Sequence, residues 1–143
     1  MLSNHPYDTA VADDRDRARR STSARVNDEI DRRTRKNIRH FSGLGRDNIL
    51  RRIEVLEREW DIERILEVNA STLALTGLVL GLTVNRRWFL LPGVVLPFLL
   101  QHGLQGWCPP LPILRRLGVR TRGEIDREKF ALLEALQGSR NIP

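Results

Sequence analysis

Cys108 is the one thiol in the chain, set between Trp107 and Pro109. A cysteine becomes a nucleophile when a cation, a helix N-terminus or a second thiol lowers its pKa. Cys108 instead follows an apolar stretch, which places it at a helix C-terminus, where the dipole disfavours the thiolate. Arg115 and Arg116 are the nearest cations that would compensate. Two readings stay open: a thiol site for sulfur relay or redox sensing, and a helix-ending Cys-Pro turn. A single cysteine excludes an intramolecular disulfide and a cysteine-rich zinc site. His102 lies six residues before Cys108, a poor spacing for shared metal ligation on a helix. With Gln101 and Gln105 it forms a polar patch, suited either to interhelical hydrogen bonding or, in several copies, to proton or ion passage. His5 and His40 have no evident partners. No Ser-His-Asp set, paired-carboxylate site, P-loop or dinucleotide fingerprint is present, so no catalytic, metal or cofactor site is expected and the chain reads as no enzyme.

A second set of residues bears on packing. Ala70, Ala74, Gly77 and Gly81 recur at spacings of 4, 3 and 4 and share one helical face, with Gly77 and Gly81 forming a GxxxG pair. Small residues let helices approach closely in lipid. The stripe serves either homodimerisation or contact with a second helix of the same chain. The basic run Arg32-Arg33-Thr34-Arg35-Lys36 is interleaved with acids on both sides, and few aromatics accompany it. That composition does not fit base stacking, so no nucleic-acid partner is expected; anionic lipid headgroups and plain solvent suit it better.

The elements that must hold these residues follow from where the charges lie. The 143 residues carry 24 Lys+Arg and 18 Asp+Glu, a net charge of +6. Mean hydropathy is −0.36, which averages over two unlike parts. Residues 1–67 hold 15 basic and 14 acidic side chains, whereas residues 68–107 hold only Arg86 and Arg87 and no acid. Within that block, Val68–Val84 and Trp88–Trp107 are uncharged runs of 17 and 20 residues. As helices they extend ~26 and ~30 Å, the scale of a bilayer's hydrocarbon core. The short Asn85-Arg86-Arg87 link makes them antiparallel neighbours, and a helical hairpin satisfies every backbone group without water. Pro92 and Pro97 predict a kink or break in the second run, which leaves a full span and a re-entrant segment both open. The three prolines at 109, 110 and 112 predict that the second span ends there.

Residues 1–24 are polar and mixed in charge and read as a disordered tail without a signal peptide. Residues 25–41 suit a short polar helix, broken by Ser42-Gly43-Leu44-Gly45. From Asp47, a plausible N-cap, Ile49, Ile53, Leu56 and Trp60 mark one apolar face. That helix lies either in the membrane interface or against a partner copy. The stretch Ile113–Val119 suits a turn resting on headgroups, with Arg115 and Arg116 as lipid contacts. Thr121-Arg122-Gly123-Glu124 is a capping box opening a helix to about Gln137, with Gly138 as its stop and Ile125, Leu132, Leu133 and Leu136 on its apolar side. Nine arginines flank the hairpin within about twenty residues against two in its connecting loop, which places both termini in the cytoplasm.

The combination of Asp61-Ile62-Glu63-Arg64, a Gly-containing first span, a second span, then Gly103-Leu104-Gln105-Gly106-Trp107-Cys108-Pro109 and Leu117-Gly118-Val119 resembles the YgaP-like two-helix transmembrane domain family of bacteria. The resemblance covers about residues 60–120. It implies an inner-membrane hairpin that self-associates and has no established reaction, since the sulfur chemistry in such proteins belongs to a separate rhodanese domain. Many members read Cys-Pro-Leu-Tyr where this chain has Pro110-Leu111-Pro112 after Cys108-Pro109, which weakens any carry-over of function at that loop. The expectation is therefore an all-α chain: a tail (1–24), a polar and amphipathic helical region (25–66), a transmembrane hairpin (67–120) and a C-terminal amphipathic helix (121–143). Its expected role is a multi-pass bacterial inner-membrane anchor, scaffold or self-association module, working as a homodimer or higher homo-oligomer. The alternative role is sulfur relay or redox work at Cys108 with a rhodanese-type or thiol partner.

Overall fold

The computed structural model describes residues 16–138, and among them every regular element is helical. Seven α-helices run in the order α1 (Arg17–Arg20), α2 (Ala24–Ser42), α3 (Arg46–Arg58), α4 (Ile62–Thr83), α5 (Leu90–Gln105), α6 (Leu111–Arg116) and α7 (Arg122–Gly138), with a 3-10 turn, Arg86–Phe89, between α4 and α5. They form two parts. Helices α4 and α5 make an antiparallel hairpin, and the remaining helices gather into a head around the start of α4.

Local sequence sets most helix starts. The Asp16 carboxylate accepts the Arg19 N–H at 3.0 Å and the Asp61 carboxylate accepts the Arg64 N–H at 2.8 Å, satisfying donors that have no partner inside the helix. At α7 the capping box is complete: the Thr121 N–H donates to Glu124 Oε2 at 2.9 Å, and the Glu124 N–H donates to Thr121 Oγ1 at 3.3 Å. Asp47, expected as a cap, lies one residue inside α3; the cap position is Gly45, whose φ of +84° suits glycine.

The head has two apolar clusters. In one, Ile49, Ile53 and Leu56 of α3 pack on Ile125 and Leu132 of α7, with Phe41, Leu133 and Leu136 at the edge. The face of α3 is therefore spent inside this chain, which replaces both the membrane-interface and the partner-copy placements. Trp60 leaves that face because α3 ends at Arg58; the residue is 47 % exposed and its ring lies under the Arg64 guanidinium at 4.6 Å. In the other cluster, Ala18, Ile62, Leu66, Cys108 and Leu111 come together, so the first turn of α4 belongs to the head. The expected tail lies outside the described residues as far as residue 15. From Asp16 onward it is folded, because Ala18 fills this cluster and Asp16 caps α1.

The hairpin looks different. Leu75, Leu82, Leu90 and Leu100 are 62, 73, 72 and 64 % exposed, and other large apolar residues surround both helices. The hydroxyls of Thr72, Thr76 and Thr83 each donate to a carbonyl one turn back at 2.7 Å, so none needs water. Helix α4, and α5 together with the 3-10 turn that leads into it, are long and apolar enough to cross a membrane. Of the kink or break expected at the prolines, the break is absent: α5 is continuous from Leu90 to Gln105. Pro92 falls in its first turn, where a missing N–H costs no helical bond, and Pro97 is accommodated four residues after Gly93. Helix α5 also stops earlier than the proline cluster, at Gln105. Gly106, with φ of +75°, donates its N–H to the His102 carbonyl at 2.7 Å and turns the chain out.

Candidate functional site

Among the expected site residues, the small-residue stripe faces its own hairpin. A Cβ at Gly81 would stand 2.8 Å from the Phe89 ring, and one at Gly77 would meet Pro92 Cδ and stand 2.9 Å from Leu91 Cβ. The two glycines are thus cut to receive the 3-10 turn and the start of α5, while Ala70 and Ala74 are half-buried higher on the same helix. Gln101 Nε2 donates to Gln105 Oε1 at 3.4 Å, a bond within α5 and not between helices.

Cys108 is buried against Ala18, Ile62, Leu66 and Leu111. Burial pushes its thiol up from the ordinary value, and the Leu111 backbone N–H offsets only part of this. The net upward shift runs against a thiolate nucleophile. The compensating cation expected at Arg115 is engaged elsewhere.

Arg115 had been expected at lipid headgroups; it is instead 1 % exposed, whereas Arg116 is exposed. Its guanidinium forks onto Glu124, with Nη1–Oε2 and Nη2–Oε1 both 2.7 Å. Its other donors reach Thr22 Oγ1 at 3.1 Å, Asn27 Oδ1 at 2.8 Å and the Val119 carbonyl at 3.0 Å. All five guanidinium N–H groups are used, which is what a buried arginine requires. Glu124 also accepts from Arg19 Nη1 at 2.6 Å, and Arg19 forks in turn onto Asp31. Burial alone would raise the Glu124 carboxyl; the Arg115 fork, the Thr121 N–H and Arg19 outweigh it and hold the group below the ordinary glutamate value.

One turn along α7 the pattern repeats. Glu128, fully buried, accepts from Arg120 Nη1 at 2.5 Å and Arg52 Nε at 2.8 Å, and Arg120 also forks onto Glu59. This network was not foreseen. Its signal lay in α7 itself: residues 124, 125, 128 and 132 form one helical stripe, and two of the four are glutamates. An acid on an otherwise apolar stripe needs a basic partner when that face is buried.

Where the head meets the hairpin there is an open cleft of about 650 Å³, lined by Arg17, Arg20, Glu63, Glu67 and His102 with the backbone of Gly103 and Gly106. Helix α1 brings the arginines, α4 the glutamates and α5 the histidine. Arg17 Nη1 donates to the Gly103 carbonyl at 2.5 Å, capping the end of α5. Gly106 lets this happen, since a Cβ there would run into Arg17. Glu63 Oε2 and His102 Nδ1 are buried without a hydrogen-bond partner. Such orphans are uncommon, and each invites a ligand or water. Among the described residues no group of three or more His, Cys, Asp or Glu side chains converges to hold a metal ion.

No family model matches the chain, and no curated protein or solved structure matches it either.

Proposed function

We propose that this chain is a small integral inner-membrane protein of bacteria, a two-helix anchor carrying a compact head on the cytoplasmic side and acting as a scaffold or self-association module with no reaction of its own. The observation that carries this reading is the contrast between the two parts. The head pairs charges in its interior and closes two apolar clusters, whereas the hairpin buries little besides Gly77 and Gly81 and leaves large leucines and valines exposed along both helices. Soluble monomers do not expose an apolar surface of that extent, and a bilayer supplies the solvent it needs. Helix α4, at 22 residues, extends ~33 Å, with its lower turn in the head and the rest free to cross. Pairing of copies would draw on the exposed faces of α4 and α5, because Gly77 and Gly81 are occupied within the hairpin.

The test is extraction from membranes of cells expressing the full chain. Retention in the pellet after high-salt and alkaline carbonate washes, with release by detergent alone, is expected. Release by carbonate would identify a peripheral or soluble protein and overturn the reading.

A further inference from the structure

A second, smaller cavity of about 180 Å³ lies within the head, where α2, α3 and the loop between α6 and α7 meet. Arg33, Asn37, Arg52, Glu59, Gly118 and Arg120 line it, and no hairpin residue does. The carboxylates here are already answered. Both Glu59 oxygens accept from Arg120, and both oxygens of the buried Glu128 accept from Arg52 and Arg120. Arg52 and Arg120 thus offset Glu59 and Glu128 one for one, and Arg33 is the charge left over. Among the described residues Arg33 has no hydrogen bond or ion pair, and its Nη1 stands over Gly118, 2.8 Å from where a Cβ would be. Arg52 spends Nε on Glu128 and stacks over the Phe41 ring at 5.2 Å, so its two Nη groups meet no acceptor among the described residues. The Asn37 amide has no partner among them either. Unused donors outnumber acceptors in this lining, which calls for a guest rich in acceptors. The surrounding sequence adds to the pull: residues 32–46 carry six basic side chains and no acid.

We propose that this cavity binds a free hydrogen phosphate ion, held by Arg33 and Arg52 with Asn37 as the third contact. A guanidinium edge matches two phosphate oxygens at once, and charge-assisted bonds of this kind are the strong ones. Donors on three side chains of two helices suit a tetrahedral ion with four oxygens better than a planar carboxylate with two. Hydrogen phosphate also keeps a proton at neutral pH, which Glu59 or Asn37 Oδ1 can accept. Sulfate has no proton to give and meets Glu59 as a bare like charge. A phosphomonoester, with its second pKa near about 6, has largely lost that proton at pH 7. Its ester group also needs room, and this cavity is smaller than the roughly 300–1,000 Å³ of pockets that take drug-sized ligands. The phosphoryl chemistry is shared with lipid headgroups; the retained proton and the small volume select the free ion.

The test is equilibrium dialysis of radiolabelled inorganic phosphate against the purified full-length chain at pH 7 and constant ionic strength. Saturable binding of one ion per chain is expected, with sulfate and glycerol 3-phosphate each displacing it about tenfold less well than unlabelled phosphate. That factor is the scale of one hydrogen bond involving a charged group. Arg33→Gln should weaken binding about tenfold at an unchanged melting temperature, because Arg33 is exposed and holds no ion pair among the described residues. Lys36→Gln removes the same charge from the same helix at an exposed position outside the cavity lining, and should weaken binding less than about twofold. Equal losses in the two variants would mean diffuse attraction to a basic surface and overturn the site. Absence of saturable binding, or displacement by sulfate as effective as by phosphate, also overturns it, and this anion series on the unmodified chain decides without any variant. Displacement by glycerol 3-phosphate as effective as by phosphate overturns the assignment to the free ion and gives the cavity to a phosphate ester. The cavity belongs to the head alone, so none of these outcomes bears on the membrane reading.

Discussion

Glu124 accepts four hydrogen bonds, from both Arg115 Nη atoms, Arg19 and the Thr121 N–H, and this shows how the head tolerates charge in its interior. Removing one partner of such a pair strands the other, at a cost of about 3–5 kcal/mol, far more than the pair's net worth. Arg115→Met is therefore expected to destabilise the full chain in detergent by about that amount in denaturant unfolding, whereas Arg116→Met, at an exposed position, should change stability by less than about 0.5 kcal/mol. A pH dependence follows from the same carboxyl. Its pKa in the folded chain is depressed, so its contribution is fully present above the unfolded value of about 4.3 and is lost as pH falls through the lower folded value. The melting temperature should fall as pH is lowered from about 5 toward 3, and Glu124→Gln, less stable throughout, should show a shallower fall. An equal slope in both proteins would assign the acid sensitivity to other carboxylates.

Among the elements, the hairpin depends on two residues that have no side chain. Gly81→Leu must push Phe89 aside, and Gly77→Leu must displace Pro92 and Leu91. Overpacking of this kind costs about 1–3 kcal/mol. Each substitution is expected to lower the melting temperature in detergent while leaving the yield of any crosslinked dimer unchanged. Loss of the dimer at unchanged stability would instead place the glycines between chains. The elements were also where local sequence spoke most clearly. The Thr121–Glu124 capping box, the end of α2 near Gly43 and the two apolar runs all appear where short-range pattern puts them, because caps, turns and charge-free stretches are fixed by neighbours within about four residues. The placement of α3 was not legible: an amphipathic face states that it must be covered, not by what, and α7 lies some seventy residues downstream. The same limit hid the cleft, whose residues come from three helices far apart in the chain.

For the molecule as a whole, the arginines serve twice. Arg52, Arg115 and Arg120 are drawn into the head's ion pairs once the chain has folded. On the proposed hairpin reading, membrane topology would be set earlier, during insertion, when the same side chains count as free positive charge near the apolar segments. Burial of Arg115 therefore removes a headgroup contact without weakening the orientation argument. Both termini are expected inside: a phosphatase active only outside the membrane should give signal when inserted at residues 85–87 and none when fused after residue 143. A signal from the C-terminal fusion reverses the orientation or reduces the second helix to a re-entrant segment.

Helix α4 begins in the core formed by Ala18, Ile62, Leu66, Cys108 and Leu111 and runs on to Thr83 without interruption. Head and hairpin thus share one stiff rod, with no swivel between them. With the hairpin in a bilayer, as proposed, the head would be held at a constant altitude above it and on a constant compass bearing around its normal. Two copies joined through their hairpins would meet with their heads already aimed, presenting the same patch of each to the other about a two-fold axis. The search that a tethered domain makes at the end of a flexible leash is replaced here by a geometry decided inside the membrane.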